Sequence, residues 1–120
     1  MTYHFSQPGK SLSIKILSPV PFKKRFPAGR LKPPVGIMPG DVRSLSELHL
    51  FLEPDNASLP GIDLKRLPDW IESSIGDGEL AKSVRTIVDQ SVNYVEDCLK
   101  VHEAVGVRLD QARKTIKEAE

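Results

Sequence analysis

Cys98 and His102 are the residues whose types and spacing come nearest to a reactive site. They lie four positions apart, so on a helix they share one face. A thiol beside an imidazole can act as nucleophile and base or as half of a metal site, but catalysis needs a third orienting group and structural zinc needs two more ligands. The other histidines are His4 and His49, and there is no second cysteine. We therefore interpret the pair as a helix contact and predict no catalytic, cofactor-binding or metal site.

The run Gly76-Asp77-Gly78-Glu79 has the small and acidic residues found in phosphate-binding and calcium-binding loops. It lacks the lysine and spacing of the phosphate loop and the alternating carboxylates of an EF-hand. We interpret Gly76 as the end of one helix and Asp77 as the N-cap of the next.

Positive charge is concentrated at the N-terminus, which the net charge of +1 hides. Residues 1–43 carry eight basic side chains against one acidic, whereas residues 44–120 carry nine against fifteen. We divide the chain accordingly into a basic arm, residues 1–43, and an acidic helical domain, residues 44–120. The split suggests that the two parts face different environments, or that one attracts the other within the chain or in a neighbouring copy.

The arm combines a strand pattern with a stretch that excludes helix. Alternation of polar and apolar residues over Ser11–Ile16 predicts an N-terminal strand or hairpin, which Pro19 and Pro21 end. From Pro19 to Gly40 there are nine prolines and glycines, with large apolar residues among them. Because a free linker would be polar, we predict an extended, proline-rich arm that docks on the protein's own helices or on another subunit.

The candidate partner-binding residues are apolar and basic side chains of this arm: Phe22, Lys23, Lys24, Arg25, Phe26, Arg30, Ile37 and Met38. Docking on a protein is the favoured interpretation. The run Lys23-Lys24-Arg25, with a phenylalanine on either side, also suits nucleic acid, because phosphates need positive charge and bases stack on aromatic rings. The acidic domain would repel phosphate, which leaves nucleic acid as the alternative partner.

Helical signals begin at Ser44. The sequence of Ser44–Glu47 is a capping box, and the apolar stripe behind it runs to Pro54, which stops the helix. A second short helix is predicted from about Pro68 to Ile75, with Gly76 as its stop. The predicted fold class is mainly α with minor β: two short helices and a long C-terminal helical segment, preceded by the strand and the arm.

The C-terminal segment, residues 79–118, has no proline and a single glycine, with apolar residues three and four positions apart. One unbroken helix would be about 60 Å long, so it either projects or breaks near Asp89–Asn93, where Asn93–Glu96 resembles a second capping box. The long or gently bent helix is slightly favoured. Six apolar residues form a heptad-like seam through which we predict homo-oligomers: Val88, Val92, Val95, Leu99, Leu109 and Ile116.

Three short motifs occur between residues 40 and 87. They are a Ser-Leu-x-Glu-Leu helix at Ser44–Leu48, the Trp-Ile pair at Trp70 and a Gly-Asp-x-x-Leu-Ala run at Gly76–Ala81. Together they resemble a small prokaryotic helical domain family, archaeal or bacterial, of unknown function. The resemblance implies helix–loop–helix–helix order and a prokaryotic source, and it implies no activity. Pro68, two positions before the tryptophan, departs from the pattern, which has a polar residue there.

Composition and patterning favour a small, soluble, cytoplasmic protein. The N-terminus lacks the features of a signal peptide, no apolar stretch approaches the roughly 18 residues needed to cross a bilayer, and a single cysteine fits a reducing compartment. We predict a non-enzymatic interaction or assembly protein, an accessory subunit or adaptor, without cofactor or membrane contact. Its predicted partners are another protein subunit and further copies of itself, and nucleic-acid binding through the arm is the alternative.

Overall fold

Five α-helices and a three-stranded antiparallel sheet make up the described part of the chain. The computed structural model describes residues 5–32, 36–53 and 59–119. A 3₁₀ turn, Phe22–Lys24, precedes β1, and a π-helical turn, Ile71–Ile75, continues α3. The predicted mainly helical class with minor β is confirmed. In chain order the elements are α1 (Lys10–Leu17), β1 (Phe26–Lys32), β2 (Gly36–Val42), α2 (Leu45–Phe51), β3 (Leu59–Gly61), α3 (Leu67–Trp70), α4 (Gly78–Asp89) and α5 (Tyr94–Ala119).

The predicted strand at Ser11–Ile16 is wrong, because this segment lies in α1. Ser13 and Ile16, three positions apart, are the buried side chains of the helix. Ile14, which a strand would turn to the same side as Ile16, is exposed. A short alternating run also places apolar residues four positions apart, so it fits both periods. The packing of α1 against α5 decides between them.

The β structure lies later in the arm, within its proline-rich stretch. β1 and β2 pair antiparallel over seven residue pairs, beginning with Phe26 opposite Val42. β3 pairs with the other side of β1, which gives the strand order β2-β1-β3. Pro39 and Pro60 lie on the two edge strands, where a missing N–H can face away from the ladder. The extended part of the arm is therefore a β-hairpin that pairs with a later strand of the same chain.

The caps of α2 follow the sequence prediction. Ser44 Oγ accepts a hydrogen bond from Glu47 N over 3.1 Å, and Glu47 Oε2 accepts one from Arg43 N over 3.3 Å. The predicted stop at Pro54 lies outside the described residues. Gly76 ends the π-helical turn with a φ of 86°, in the left-handed region that glycine adopts without strain, and so confirms the predicted stop of the second helix.

The C-terminal segment forms two helices, so the slightly favoured single helix is wrong and the break near Asp89–Asn93 is confirmed. Asn93 Oδ1 accepts a hydrogen bond from Glu96 N over 2.8 Å and caps α5 as predicted. An unbroken helix of about 60 Å would exceed the longest dimension of the molecule, 47 Å. The break lets α4 pack against α5, so that each helix covers the apolar face of the other.

One hydrophobic core joins the arm to the helical domain. Ile16 of α1 and Phe26 and Val42 of the hairpin are buried in the same cluster as apolar side chains from α2, α3, α4 and α5. The radius of gyration, 14.2 Å, is close to the value of about 14 Å expected for one compact domain of this length. Within the described residues, the boundary drawn at residue 43 therefore separates two regions of charge that share one core.

Candidate interaction surfaces

The fold gives Cys98 and His102, the most reactive pair in the sequence, different surroundings. Cys98 is 3% exposed, and burial raises the pKa of its thiol, the opposite of what a nucleophile requires. The ring of His102 stacks on that of His49 in α2, with centroids 4.1 Å apart and planes 11° from parallel. Among the described residues, no group of three or more histidine, cysteine or acidic side chains is placed to hold a metal ion.

The stacked histidines lie in the contact between α2 and α5. Gly106 makes room for them, because a Cβ at that position would lie 2.8 Å from His49 Nε2. His102 Nε2 is buried and has no hydrogen-bond partner among the described residues. Burial, and after it the neighbouring His49, lowers the pKa of His102, while Glu53 acts in the opposite direction. The surroundings of His102 therefore favour the neutral form of its ring.

The structure contains a buried ion pair between α4 and α5 that the sequence analysis did not predict. Arg108 is 2% exposed and Asp77 fully buried. Arg108 Nε donates to Asp77 Oδ2 over 2.6 Å, and Nη2 donates to Oδ1 over 3.2 Å. Asp77 is also the predicted N-cap of α4, since its Oδ1 accepts from Leu80 N over 3.1 Å. One carboxylate thus both caps a helix and neutralises a buried guanidinium.

The remaining nitrogen of Arg108 holds the N-terminal segment. Nη1 donates to Ser6 O over 2.6 Å and to Gln111 Oε1 over 3.2 Å, while Gln111 Nε2 donates to Phe5 O over 2.9 Å. The guanidinium carbon also lies 5.4 Å from the centroid of the Phe5 ring. A buried ion pair is tolerated when such further bonds satisfy its atoms. This cluster therefore positions the start of the chain against α5.

The basic cluster of the arm forms one wall of an open groove of about 500 Å³, here called the basic groove. The opposite wall belongs to the turn before α3, to α3 itself and to the π-helical turn. Four predicted partner-binding residues thus lie together, and Arg66, which the sequence analysis did not connect with them, faces the same groove. The first wall is lined by Lys23, Lys24, Arg25, Phe26 and Pro27, and the second by Asp63, Arg66, Asp69, Trp70, Ser73 and Ser74.

Aromatic contacts join the two walls of the basic groove. Trp70 Nε1 donates to Lys24 O over 2.5 Å, and the rings of Trp70 and Phe26 lie 5.6 Å apart at a tilt of 55°. Both rings are buried, at 7% and 5% exposure. Of the predicted partner contacts, Phe26 is therefore mostly a core residue. Four others have side chains outside the described part of the structure: Phe22, Arg30, Ile37 and Met38.

Three cations of the basic groove form no salt bridge among the described residues. Lys23, Lys24 and Arg66 are exposed, and none of them forms an ion pair there. Asp69, on the second wall, is already held by Arg85 with 2.9 Å between carboxylate oxygen and guanidinium nitrogen. The groove therefore offers positive charge to a ligand.

The single seam that the heptad pattern predicts is not formed, because the chain turns between α4 and α5. Leu109 is fully buried in the protein's own core, and Val88 and Ile116 are half-buried. The other three are exposed: Val92 by 73%, Val95 by 51% and Leu99 by 43%. Val95 and Leu99 lie four positions apart on α5 and so share one side of the helix, and Val92 lies in the bend just before it. We call these three residues the α5 face.

The start of α5, which carries this face, is tied to the sheet through Tyr94. The Tyr94 hydroxyl donates to Pro60 O over 2.5 Å and accepts from Ile62 N over 3.0 Å. Burial raises the pKa of Tyr94 to about 12, so the hydroxyl keeps its proton at neutral pH. Beside the face, Lys100 Nζ and Glu96 Oε1 form an ion pair at 3.8 Å. The backbone under the α5 face is therefore fixed by contacts with the sheet.

Comparison with known proteins adds no relative on which to base a function: no protein-family model, curated protein or solved structure matches this chain. The resemblance of residues 40–87 to a prokaryotic helical domain family stays a prediction. None of the helices in the described residues is both long enough and apolar enough to cross a membrane. The features of the structure that indicate a function are its two candidate surfaces, the basic groove and the α5 face.

Proposed function

We propose that this protein is a non-enzymatic assembly protein, an accessory subunit or adaptor that works by binding protein chains. The observation that carries the proposal is the α5 face, where Val95 and Leu99 on the helix and Val92 just before it are left exposed to solvent. Contiguous apolar side chains on a surface are typical of interaction sites, because covering them removes apolar area from water at about 25 cal/mol per Å². A cytoplasmic location and a prokaryotic source belong to the same proposal.

The proposed occupant of the α5 face is the same face of a second copy. Val95 and Leu99 lie four positions apart on one helix, and side chains with this spacing pack into the gaps between those of another helix. A two-fold axis makes such a face its own complement. Glu96 and Lys100 place one negative and one positive charge beside the face. Two copies in contact therefore do not bring only like charges together.

The expected contact is weak. A standard stable interface covers about 800 Å² on each partner, and three partly exposed side chains supply only part of that area. We therefore expect an association that depends on concentration, with a dissociation constant of about 10 to 100 µM. Such a contact suits an assembly in which a further partner adds interface area.

Sedimentation equilibrium tests this proposal. Between about 5 and 500 µM, we expect the average mass of the wild-type protein to rise from one chain toward two, and that of Leu99→Ser to stay at one. Leu50→Ser is the matched control, since Leu50 is 63% exposed but lies on α2, outside the α5 face. A wild-type mass that stays at one chain throughout, or equal association in Leu99→Ser, contradicts the proposal.

A further inference from the structure

The basic groove is the second surface that a partner can occupy. We propose that it binds an acidic segment of a partner protein, a short peptide whose carboxylates reach Lys23 and Lys24 on one wall and Arg66 on the other. The groove volume, about 500 Å³, lies within the usual range of ligand sites. The inference rests on the proposed function for the class of partner, a protein, but it concerns another surface and another test.

Exposed cations lie on both walls of the basic groove. Lys23 and Lys24 are consecutive in the 3₁₀ turn, and Arg66 lies directly before α3. All three are exposed and without an ion-pair partner in the described residues. A carboxylate that accepts from such a cation makes a charge-assisted hydrogen bond, about twice as strong as a neutral one. Because cations lie on both walls, a ligand with spaced carboxylates can be held from both sides.

The second wall also offers hydroxyl groups that suit a peptide backbone. Ser73 and Ser74 lie in the π-helical turn, a distortion of the helix that occurs often at functional sites. Ser73 Oγ donates its proton to Asp69 O over 2.7 Å, which leaves the oxygen lone pairs as acceptors. Peptide N–H groups are donors that match such acceptors. The groove thus combines cations for carboxylates with acceptors for amides.

The same groove disfavours nucleic acid. Trp70 and Phe26, its described aromatic residues, are buried and packed against each other, so they offer no open ring face on which a base can stack. Asp63 would oppose a phosphate backbone, which carries a charge at every nucleotide, whereas a peptide can place its carboxylates elsewhere.

Trp70 provides the measurement, because it is the only tryptophan of the chain and it lines the groove. The intact protein is titrated with a peptide of alternating glutamate and alanine, with the same peptide carrying glutamine, and with a thymidylate strand of equal charge. Tryptophan emission and the heat of binding are both recorded. We expect saturable binding of the glutamate peptide and binding of the glutamine peptide that is weaker by about tenfold or more.

A pair of double variants locates the site. Lys24→Ala/Arg66→Ala removes one cation from each wall and is expected to weaken binding of the glutamate peptide by about tenfold or more. The fold is kept, because Trp70 bonds to the backbone carbonyl of Lys24. Lys114→Ala/Lys117→Ala removes the same charge from exposed positions of α5 and is expected to change affinity by less than about twofold.

Three results overturn the proposal: equal affinity in the two double variants, no binding of the glutamate peptide up to about 1 mM, or tighter binding of the thymidylate strand than of the peptide. The last result assigns the groove to nucleic acid. Both double variants keep Val92, Val95 and Leu99. Failure here with unchanged sedimentation behaviour is therefore distinct from failure of the proposed function.

Discussion

The two halves of α5 differ in which large side chains they leave exposed and which they bury. The first half leaves Val95 and Leu99 exposed, whereas the second half buries a charged residue, Arg108, next to a fully buried leucine, Leu109. α1, α2 and α4 pack against α5, and Arg108 bonds to the start of α4 and to Ser6. Burial here follows coverage by neighbouring elements more than the polarity of the side chain. Val95 and Leu99 remain exposed because no element of the described residues covers this side of α5.

The largest expected effect lies in the buried half. Arg108→Met leaves the carboxylate of Asp77 buried without its cation, so we expect the free energy of unfolding to fall by about 3 to 5 kcal/mol. Urea denaturation measures it. Arg113→Met is the control, because the pair of Arg113 with Asp110, at 3.4 Å, is exposed and such pairs contribute less than about 1 kcal/mol. Equal losses in the two variants would mean that the buried pair contributes no more to the free energy of unfolding than the exposed pair does.

Two leucines of α5 compare the halves directly. Leu109→Ala creates a cavity in the core and should lower the free energy of unfolding by about 2 to 5 kcal/mol. Leu99→Ala, at a position 43% exposed, should change it by about 0.5 kcal/mol or less in dilute protein. Chemical denaturation of both variants at low concentration gives the two values. Similar losses would show that Leu99 is already covered within one chain.

A smaller effect that depends on pH is expected at His102, between the two halves. Its folded-state pKa lies below the ordinary value of about 6.5, so the unfolded chain binds more protons as the pH falls below that value. The stability is therefore complete above pH of about 6.5 and is lost as the pH falls toward and through the folded-state pKa. Denaturation midpoints near pH 7.5 and pH 5.5 should differ more in the wild-type protein than in His102→Gln. An equal difference in both would remove the histidine stack as the cause.

The sequence predicted the features that depend on residues close together in the chain. The caps at Ser44, Asp77 and Asn93 each bond to a backbone N–H three positions ahead, and all three are present. Gly76 likewise ends its helix through its own backbone conformation. The segment Ser11–Ile16 was predicted wrongly because six alternating residues fit a strand and a helix alike, and only the distant α5 decides between them.

The surfaces depend on residues that are distant in sequence, so they could be predicted only in part. The charge contrast identified one wall of the basic groove, but Trp70, which joins the walls, is 46 positions from Lys24. The sequence does contain a signal for Arg108, because it is a lone arginine on an apolar stripe of a helix. A buried arginine rarely lacks a partner, so this position indicates a buried ion pair. That signal does not identify Asp77, which lies 31 positions away.

The most direct test of the central claim, that the α5 face is covered by a second copy, is an NMR concentration series. Between about 20 and 500 µM, we expect the signals of Val92, Val95 and Leu99 to shift along one common binding curve. Those of Leu109 and Trp70, in the core and at the basic groove, should stay in place. Signals of the α5 face that do not change with concentration, or shifts confined to another surface, would contradict it.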